Sequence, residues 1–400
     1  MANLSYRGTI GILTGGGDVP GLNPAIRAVT LRAEKEGYQV IGIRRGWAGL
    51  VEIVRDQQAD NSRNFMTLNR HVVMRQHRSG GTFLHTSRTK PISIPKENVP
   101  DHLKEKYNQE KNDLTPEVLA NLEFLGVDTL IAIGGDDTLS YAQHLHRKGY
   151  KVIAIPKTMD NDVQGTDYCI GFSTCITRTI EFTNQLRTSA GSHERILVIE
   201  VFGRYAGYTA IFPTLAGAAD RCVIPEYKFN IDRLTELLVR DRQDNPSHYS
   251  VVLVSEGAMF EGHDMVFQSQ ETDMFGHKKL GGVGDIVAAK IKELSAQFNR
   301  GKKINIISQK LGYLVRSGAP DFLDSIVPMA YGNLAFDLIG QEGSGRLVAL
   351  RNGRYGDVPL DIVVSKGKHI DVQRYYSTDR YRPLYNGFAN LPTLIMGSDI

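Results

Sequence analysis

Short, largely apolar segments recur along this 400-residue chain, and most are followed by a stretch with the period of a helix. The first is Thr9–Thr14, after which Ile26, Val29 and Ala33 lie three and four residues apart, on one face of a helix. Strands that lack polar alternation and are separated by helices are typical of parallel sheets covered on both faces. The sequence therefore predicts an α/β fold of two doubly wound lobes with mostly parallel sheets.

The same pattern places the remaining elements. Further buried strands are predicted at residues 38–43, 127–133, 152–155, 196–201, 251–254 and 304–307, and helices from residue 139, at 175–186 and at 284–298. A second lobe is predicted to begin around residue 172. Residues 90–113 are polar with little periodicity and predict a surface excursion of the first lobe, whereas the Tyr- and Arg-rich tail after Asp371 predicts no role.

Composition excludes several classes of protein. The formal net charge of +3 is small for this length and gives no case for a nucleic-acid or membrane partner. Cys169, Cys175 and Cys222 form no C-x-x-C pair, which argues against a disulfide framework or a structural zinc site. The N-terminus lacks the pattern of a signal peptide, and no apolar run approaches the ~20 residues that span a bilayer. We expect a soluble, cytoplasmic protein.

Three loops that follow predicted strands carry the residues suited to chemistry. The first, residues 14–23, contains Gly15, Gly16 and Gly17, whose backbone N–H groups can approach an anion. Such a run is equally typical of a tight turn, and it lacks the Gly-Lys-Ser/Thr ending of a Walker loop.

The other two loops follow the strands near residues 127–133 and 152–155. One contains Asp136 and Asp137, and the other, residues 156–162, gathers an amine, a hydroxyl and two acids. The acids could merely complement a helix dipole, and the second loop could be a solvated polar loop. However, ligands bind at the carboxyl ends of parallel strands, and phosphoryl transfer needs an orienting carboxylate and positive charge for the phosphates.

These three loops resemble the signature loops of the phosphofructokinases. Further matching segments follow in the family's order at residues 86–88, 192–195, 200–204, 255–257 and 311–318. The resemblance implies the phosphofructokinase fold and a transferase, or kinase, reaction of glycolysis that phosphorylates the 1-hydroxyl of fructose 6-phosphate. It implies a donor-binding lobe of residues 1–171 plus about 315–367, and a sugar-phosphate-binding lobe of residues 172–314, with residues 368–400 returning to it.

Residue roles follow by the same resemblance. Asp160 would be the base for the 1-hydroxyl, with Thr158 and Arg204 as further catalytic groups, and Asp136 would hold Mg²⁺ with Asp162 nearby. The residues implied to bind the donor are Gly16, Gly17, Arg88, Asp137, Thr138 and Lys157. Those implied to bind the sugar phosphate are Thr158, Asp160, Asp162, Arg195, Phe202, Gly203, Arg204, Glu256, Tyr313 and Arg316.

In relatives the arginine that matches Arg195 reaches the site from a neighbouring subunit, which implies a homodimer or homotetramer here. The chain departs from the family at three places: it has Phe202 for the usual Met, Tyr313 for the frequent His, and no phosphate-binding Arg just before Leu311. Lys310 or a residue elsewhere would substitute for that Arg. Fructose 6-phosphate and sedoheptulose 7-phosphate therefore both stay open as the acceptor.

The donor is indicated by Asp137 and Lys157. Relatives that use ATP typically have Gly at both positions, whereas those that use pyrophosphate have Asp and Lys. A carboxylate there would occupy the volume of an α-phosphate, and two unit charges about 4 Å apart at an effective dielectric of about 20 repel by roughly 4 kcal/mol. Tyr141 could fill the adenine pocket. The alternative is an ATP-dependent kinase that keeps these residues for other reasons.

Two other classes fit less well. A dinucleotide-binding oxidoreductase would have an acid at the end of the second strand, where this chain has Arg44 and Arg45. A non-catalytic regulatory relative would have lost the base or the metal carboxylate, yet Asp160, Asp162 and Asp136 are all present.

Overall fold

The computed structural model describes residues 6–262, 264, 267–272, 278–364 and 367–388. Its strands are β1 (Thr9–Thr14), β2 (Gln39–Ile43), β3 (Phe65–Leu68), β4 (Ile94–Pro95), β5 (Lys111–Asn112), β6 (Thr129–Gly134), β7 (Val152–Pro156), β8 (Ile196–Val201), β9 (Arg221–Val223), β10 (Ser250–Ser255), β11 (Phe267–Thr272), β12 (Lys278–Leu280), β13 (Ile306–Lys310), β14 (Arg346–Arg351), β15 (Arg354–Pro359), β16 (Tyr376–Ser377) and β17 (Arg382–Pro383).

Its helices are α1 (Leu22–Lys35), α2 (Trp47–Val51), α3 (Arg70–Val73), α4 (Thr115–Phe124), α5 (Asp136–Arg147), α6 (Phe172–Ser192), α7 (Tyr208–Leu215), α8 (Ile231–Asp244), α9 (Val283–Phe298), α10 (Leu323–Gly340) and α11 (Val372–Tyr375). None of the helices in the described ranges has the length and apolarity needed to cross a membrane.

The chain divides into two compact units. Unit 1 comprises Met1–Thr158, Val163–Gly171 and Ser317–Lys366, and unit 2 comprises Met159–Asp162, Phe172–Arg316 and Gly367–Ile400. The loop that follows β7 therefore contributes residues to both units.

Unit 1 contains a seven-stranded sheet in the order β15-β14-β7-β6-β1-β2-β3. The five inner strands pair in parallel, and only the two edge strands β15 and β3 run antiparallel to their neighbours. The inner strands are buried along nearly their whole length, as expected for strands with helices on both faces.

Unit 2 contains a four-stranded parallel sheet in the order β13-β8-β10-β9. The Tyr-rich tail covers its edge strand β9. The carbonyl of Tyr381 accepts the Cys222 N–H at 2.8 Å, and the Tyr376 hydroxyl donates to the Cys222 carbonyl at 2.6 Å. Because an unpaired edge strand invites association with other chains, this cover gives the tail a structural role. The predicted α/β fold with mostly parallel sheets is confirmed.

Some predicted boundaries were wrong. Helix α5 begins at Asp136 rather than at residue 139, because two acids in the first turn complement the helix dipole. Strand β13 is Ile306–Lys310 rather than 304–307, and it pairs with β8 through Lys310. Residues 90–113 do not lie only on the surface, since Ile94, Val99 and Leu103 are buried in the core of unit 1.

One buried carboxylate fastens that polar segment to helix α4. Glu117 is 2% exposed and accepts hydrogen bonds from Arg55 at 2.7 Å, Lys106 at 2.5 Å and Tyr107 at 3.0 Å. Burial alone would raise the pKa of Glu117, but the hydrogen bonds from Lys106, Arg55 and Tyr107 outweigh it and lower the pKa from 4.5 to about 2. The ionised side chain therefore stabilises the folded state.

We expect Glu117→Gln to lower the free energy of unfolding by about 2 kcal/mol at pH 7, since Lys106 and Arg55 lose their buried partner but stay partly solvated. Because the folded-state pKa is lowered, the native protein loses this contribution as the pH falls from 4.5 toward 2. Urea unfolding at several pH values measures both effects. Glu123→Gln, an exposed acid on the same helix, is the control, and equal unfolding midpoints for the two variants at pH 7 would contradict the prediction.

Candidate active site

The glycine loop after β1 is held by backbone hydrogen bonds rather than by a helix end. Gly15 N–H donates to the Ile133 carbonyl at 2.9 Å, and Gly16 N–H donates to the Ser87 carbonyl at 2.8 Å. The Thr86 hydroxyl returns a hydrogen bond to the Gly16 carbonyl at 2.7 Å. Helix α1 begins only at Leu22. The segment that carries Arg88 thus runs directly beside Gly16, and Gly17 follows in the same loop.

Thr138 fills the space between the ends of β1 and β6. A methyl group at Gly15 would lie 2.4 Å from the Thr138 hydroxyl oxygen, and one at Gly134 would lie 2.3 Å from its Cβ. Thr138 is 4% exposed in the first turn of α5. Glycine is therefore required at both positions by close approach of the backbone to this side chain.

Lys157 lies against the same glycine loop. It is 4% exposed, and a methyl group on Gly16 would lie 3.1 Å from its Nζ atom. Gly16 has a φ of 80°, a left-handed backbone conformation that would be strained in a residue with a side chain. Lys157 is therefore not a solvated surface amine, and its ammonium group supplies positive charge beside the glycine loop.

Asp136 and Asp137 are the first two residues of α5, and both are exposed. Gly134 and Pro156 pair in register on β6 and β7, so the loops that carry Asp137 and Lys157 leave the sheet at the same edge. The Asp137 carboxylate lies 3.1 Å from the ammonium group of Lys90. Lys90 was not among the predicted site residues, because its polar surroundings in sequence indicated a surface segment.

The acids of this region suit a hydrated cation. In the described ranges, no group of three or more His, Cys, Asp and Glu side chains is placed to enclose a metal ion. An exposed carboxylate such as Asp136 fits Mg²⁺, which keeps several waters and is held by one or two carboxylates plus phosphate oxygens. The residues do not fit a zinc or calcium cage.

The loop after Thr158 enters unit 2 and carries Asp160 and Asp162. Between them Asn161 is 1% exposed with a φ of 56°, a conformation that Asn tolerates better than most residues. Burial raises the pKa of Asp160 well above its ordinary value, and the charges of Asp162 and Glu256 raise it further. The charges of Arg204 and Arg316 act in the opposite direction on the same pKa.

Glu256 belongs to the same charged cluster. Burial raises its pKa to about 7, the charge of Glu200 adds to that rise, and Arg204, Lys310 and Arg316 oppose it. The predicted residues Asp160, Asp162, Arg204, Glu256 and Arg316 therefore lie close enough to perturb one another. Partly buried acids whose pKa values are raised in spite of neighbouring cations are typical of functional sites.

Close backbone packing sets the loop that carries Arg204. Gly203 has a φ of 117°, and a methyl group there would lie 2.7 Å from the Ala206 carbonyl oxygen. A methyl group on Gly257 would lie 1.9 Å from the Arg204 carbonyl oxygen. Glu256 and Gly257 donate backbone N–H groups to Val201 at 2.9 Å and Gly203 at 3.1 Å. The Arg204 and Glu256 loops are thus pressed together.

The Arg316 guanidinium is held by aromatic rings. It lies 4.5 Å from the ring centre of Tyr313 and 5.8 Å from that of Phe202, and Arg316 is 8% exposed. Tyr313 is 66% exposed. These cation–π contacts orient a planar cation that can bind phosphate through two parallel hydrogen bonds.

The ammonium group of Lys310 is already paired with a buried acid. Its Nζ atom lies 2.8 Å from the carboxylate of Glu200, which is 2% exposed and also accepts N–H groups of Gly282 at 2.8 Å and Gly284 at 2.9 Å. The charge of Lys310 is therefore partly used to balance a buried acid, which weakens its candidacy as the substitute for the missing arginine.

Two other predicted residues lie apart from these clusters. Arg195 follows the end of α6, and in the described ranges its buried Nε atom has no hydrogen-bond partner. Tyr141 is 4% exposed in the core of unit 1, where its ring meets the Trp47 ring edge-on at 4.7 Å and its hydroxyl donates to Thr115 at 3.2 Å. Its role against adenine stays a prediction.

Comparison with known proteins identifies the family. A sequence profile described as Phosphofructokinase matches residues 9–339. A protein of Dictyoglomus thermophilum named pyrophosphate–fructose 6-phosphate 1-phosphotransferase is 35% identical over 373 residues, covering 93% of this chain and 98% of that protein. A protein of Clostridium perfringens named ATP-dependent 6-phosphofructokinase 2 is 36% identical over 365 residues, covering 90% and 93%.

The fold is shared with solved structures as well. The crystal structure of the pyrophosphate-dependent phosphofructokinase from Marinobacter aquaeolei matches with a TM-score of 0.71 at 20% identity, over 98% of this chain and 93% of that one. The sequence profile spans both parallel sheets except β14 and β15, and the ordered loops of the candidate site fall within it. This chain belongs to the phosphofructokinase family.

Proposed function

We propose that this chain catalyses the reversible, Mg²⁺-dependent transfer of a phosphoryl group from pyrophosphate to the 1-hydroxyl of fructose 6-phosphate, giving fructose 1,6-bisphosphate and phosphate. The observation that carries the choice of donor is Lys157, buried against the glycine loop, with Asp137 at the neighbouring strand end. Relatives named for this activity, such as that of Dictyoglomus thermophilum, support it.

In this proposal unit 1 takes the donor. Gly17 presents its backbone N–H group to the phosphates, Gly16, whose N–H is bonded to Ser87, lines the site without a side chain, and Lys157 and Arg88 neutralise the phosphate charge. Asp136 would hold Mg²⁺, which when bound offsets charge on the donor phosphates. Thr138 keeps the strand ends and the glycine loop in register.

Unit 2 takes the sugar phosphate. Asp160 accepts the proton of the 1-hydroxyl, and its raised pKa makes it a stronger base than an exposed carboxylate. Arg204 contacts the transferring group, Glu256 accepts hydrogen bonds from the sugar hydroxyls, and Phe202 and Gly203 shape the pocket. Thr158, which belongs to unit 1 and precedes the Asp160 loop, also contacts the transferring group. Arg316 and Tyr313 bind the 6-phosphate.

We further propose that Arg195 completes the 6-phosphate site of a neighbouring subunit, so that the active enzyme is a homodimer or homotetramer. The unpartnered Nε atom of Arg195 in the described chain supports this role. A cytoplasmic location suits the reaction and the three buried cysteines.

The second candidate is an ATP-dependent 6-phosphofructokinase, because relatives with that name have comparable identity. A matrix of two donors, pyrophosphate and ATP, against two acceptors, fructose 6-phosphate and sedoheptulose 7-phosphate, decides between them with Mg²⁺ present. We expect turnover with pyrophosphate and fructose 6-phosphate, and a reverse reaction when product and phosphate are supplied. Turnover with ATP alone would sink the proposal.

Donor choice is tested at Asp137. We expect Asp137→Gly to raise kcat/KM for ATP at least about tenfold by clearing volume and charge beside the donor, and Asp137→Asn, which removes only the charge, to raise it less. Steady-state kinetics with each donor measure the change. An ATP affinity that neither variant alters would show that this carboxylate does not exclude the nucleotide.

The base is tested through pH dependence. A protonated Asp160 cannot accept a proton, so kcat/KM should fall as the pH drops through its raised pKa. Because the charge of Glu256 raises that pKa, Glu256→Gln should move the acidic limb to lower pH, although it also weakens sugar binding. Asp160→Asn should abolish nearly all turnover while fructose 6-phosphate still binds in calorimetry. Substantial turnover by that variant would refute the assignment.

A further inference from the structure

Residues 368–370 are hydrogen-bonded to two loops of unit 2, the unit proposed to take the sugar phosphate. The Lys368 N–H donates to the carbonyl of Asp162 at 2.9 Å, on the loop that carries Asp160. The next residue reaches the other loop: Tyr208 donates its hydroxyl to the His369 carbonyl at 3.1 Å, and the His369 ring Nδ1 lies 3.0 Å from the Tyr205 carbonyl. Tyr205 directly follows Arg204.

A third residue, Ile370, is joined to the same loop through a carboxylate outside the proposed mechanism. Glu226 Oε1 accepts the Ile370 N–H at 3.0 Å and the Gly207 N–H at 3.0 Å, and its Oε2 accepts the Gly207 N–H at 3.1 Å. Gly207 caps the start of α7, three residues after Arg204. The acid therefore links the tail to the end of the Arg204 loop.

The side chains around Gly207 and Glu226 are closely packed. A methyl group on Gly207 would lie 3.1 Å from Glu226 Oε2 and 2.4 Å from the side chain of Ile224. Tyr208 is 1% exposed, and the ammonium group of Lys368 lies 5.1 Å from the centre of its ring. Residues 368–370 with Tyr208 and Glu226, which we call the tail brace, thus hold both loops by buried or partly buried bonds.

We propose that Tyr208 and Glu226 are positioning residues, which through residues 368–370 fix the distance between the loop of Asp160 and the loop of Arg204. The inference rests on the proposed function, in which Asp160 receives the proton while Arg204 contacts the transferring group. Both must meet one substrate, and a displacement of about 1 Å can cost about 100-fold in rate.

A tyrosine of the tail serves as a matched control, because its hydroxyl is expected to affect only the stability of the fold. Tyr376 also donates a buried hydroxyl from the tail to the body of unit 2, but its partner is the Cys222 carbonyl on the edge strand β9. Tyr208→Phe and Tyr376→Phe each remove one such hydroxyl and keep the ring. Only the first lies in the tail brace.

The experiment compares kcat, KM for fructose 6-phosphate and the thermal midpoint in the full chain. We expect kcat to fall about threefold in Tyr208→Phe and about 10- to 100-fold in Glu226→Ala, with smaller rises in KM, and to stay unchanged in Tyr376→Phe. Glu226→Gln keeps the shared oxygen and should recover most of the rate lost in Glu226→Ala. If kcat in Tyr208→Phe and Glu226→Ala matches that of Tyr376→Phe, the tail brace only stabilises the fold and the proposal is overturned.

Failure of the proposed function gives a different result. The wild-type chain would then show no turnover with pyrophosphate. The positioning role of the tail brace can still be tested in that case, by measuring amide hydrogen exchange at residues 159–162 and 203–207. Faster exchange of both segments in Tyr208→Phe than in Tyr376→Phe supports it, and equal exchange overturns it. If Glu226→Ala does not fold, Tyr208→Phe and Glu226→Gln still decide.

Discussion

The ends of β1 and β6 meet at the side chain of Thr138, and the geometry of the glycine loop depends on that approach. Gly15 and Gly134 leave room for the threonine only because they lack a Cβ atom, and their backbones are tied by Gly15 N–H to Ile133 and Lys157 N–H to Gly134, each at 2.9 Å. A larger residue at either glycine would push the β1 end away from β6. The glycine loop and the ammonium of Lys157 would then lose their alignment, since one methyl group on Gly16 already meets that ammonium.

The acid-rich cluster of unit 2 depends on charge balance as well as on close backbone contact. Glu200 is buried and Asp160 and Glu256 are partly withdrawn from water, so each would be costly without the cations around it. Arg204 and Arg316 lower the pKa of both Asp160 and Glu256, and Lys310 lowers that of Glu256 while it pairs directly with Glu200. The balance is incomplete, because the pKa of Asp160 stays raised. A stable fold would favour full compensation, so the remaining imbalance fits the role of proton acceptor proposed for Asp160.

Local patterns predicted what local physics determines. The apolar strand β8 was predicted with its observed bounds, and the loops of Asp137 and Asp160 were found because polar residues follow buried strands. Contacts between distant segments left no such signal: Lys90 meets Asp137 across 47 residues, and Ile370 meets Glu226 across 144. The predicted start of α5 was also wrong, because the pattern of apolar residues starts at Leu139 whereas the helix begins at the acid Asp136. Polarity hid the buried residues of the segment 90–113 in the same way.

Under the proposed function, the ion pair between Asp137 and Lys90 affects how the donor site excludes ATP. A lone carboxylate would repel an extra phosphate about 4 Å away by roughly 4 kcal/mol at an effective dielectric of about 20. Lys90 places an opposite charge 3.1 Å from that carboxylate, which cancels much of this repulsion, and both side chains are solvated at 38% and 54% exposure. What remains is volume, because the paired side chains occupy space beside the donor loops that a third phosphate would need. Selection against the nucleotide therefore depends more on occupied space than on repulsion, and Lys90 contributes to it together with Asp137.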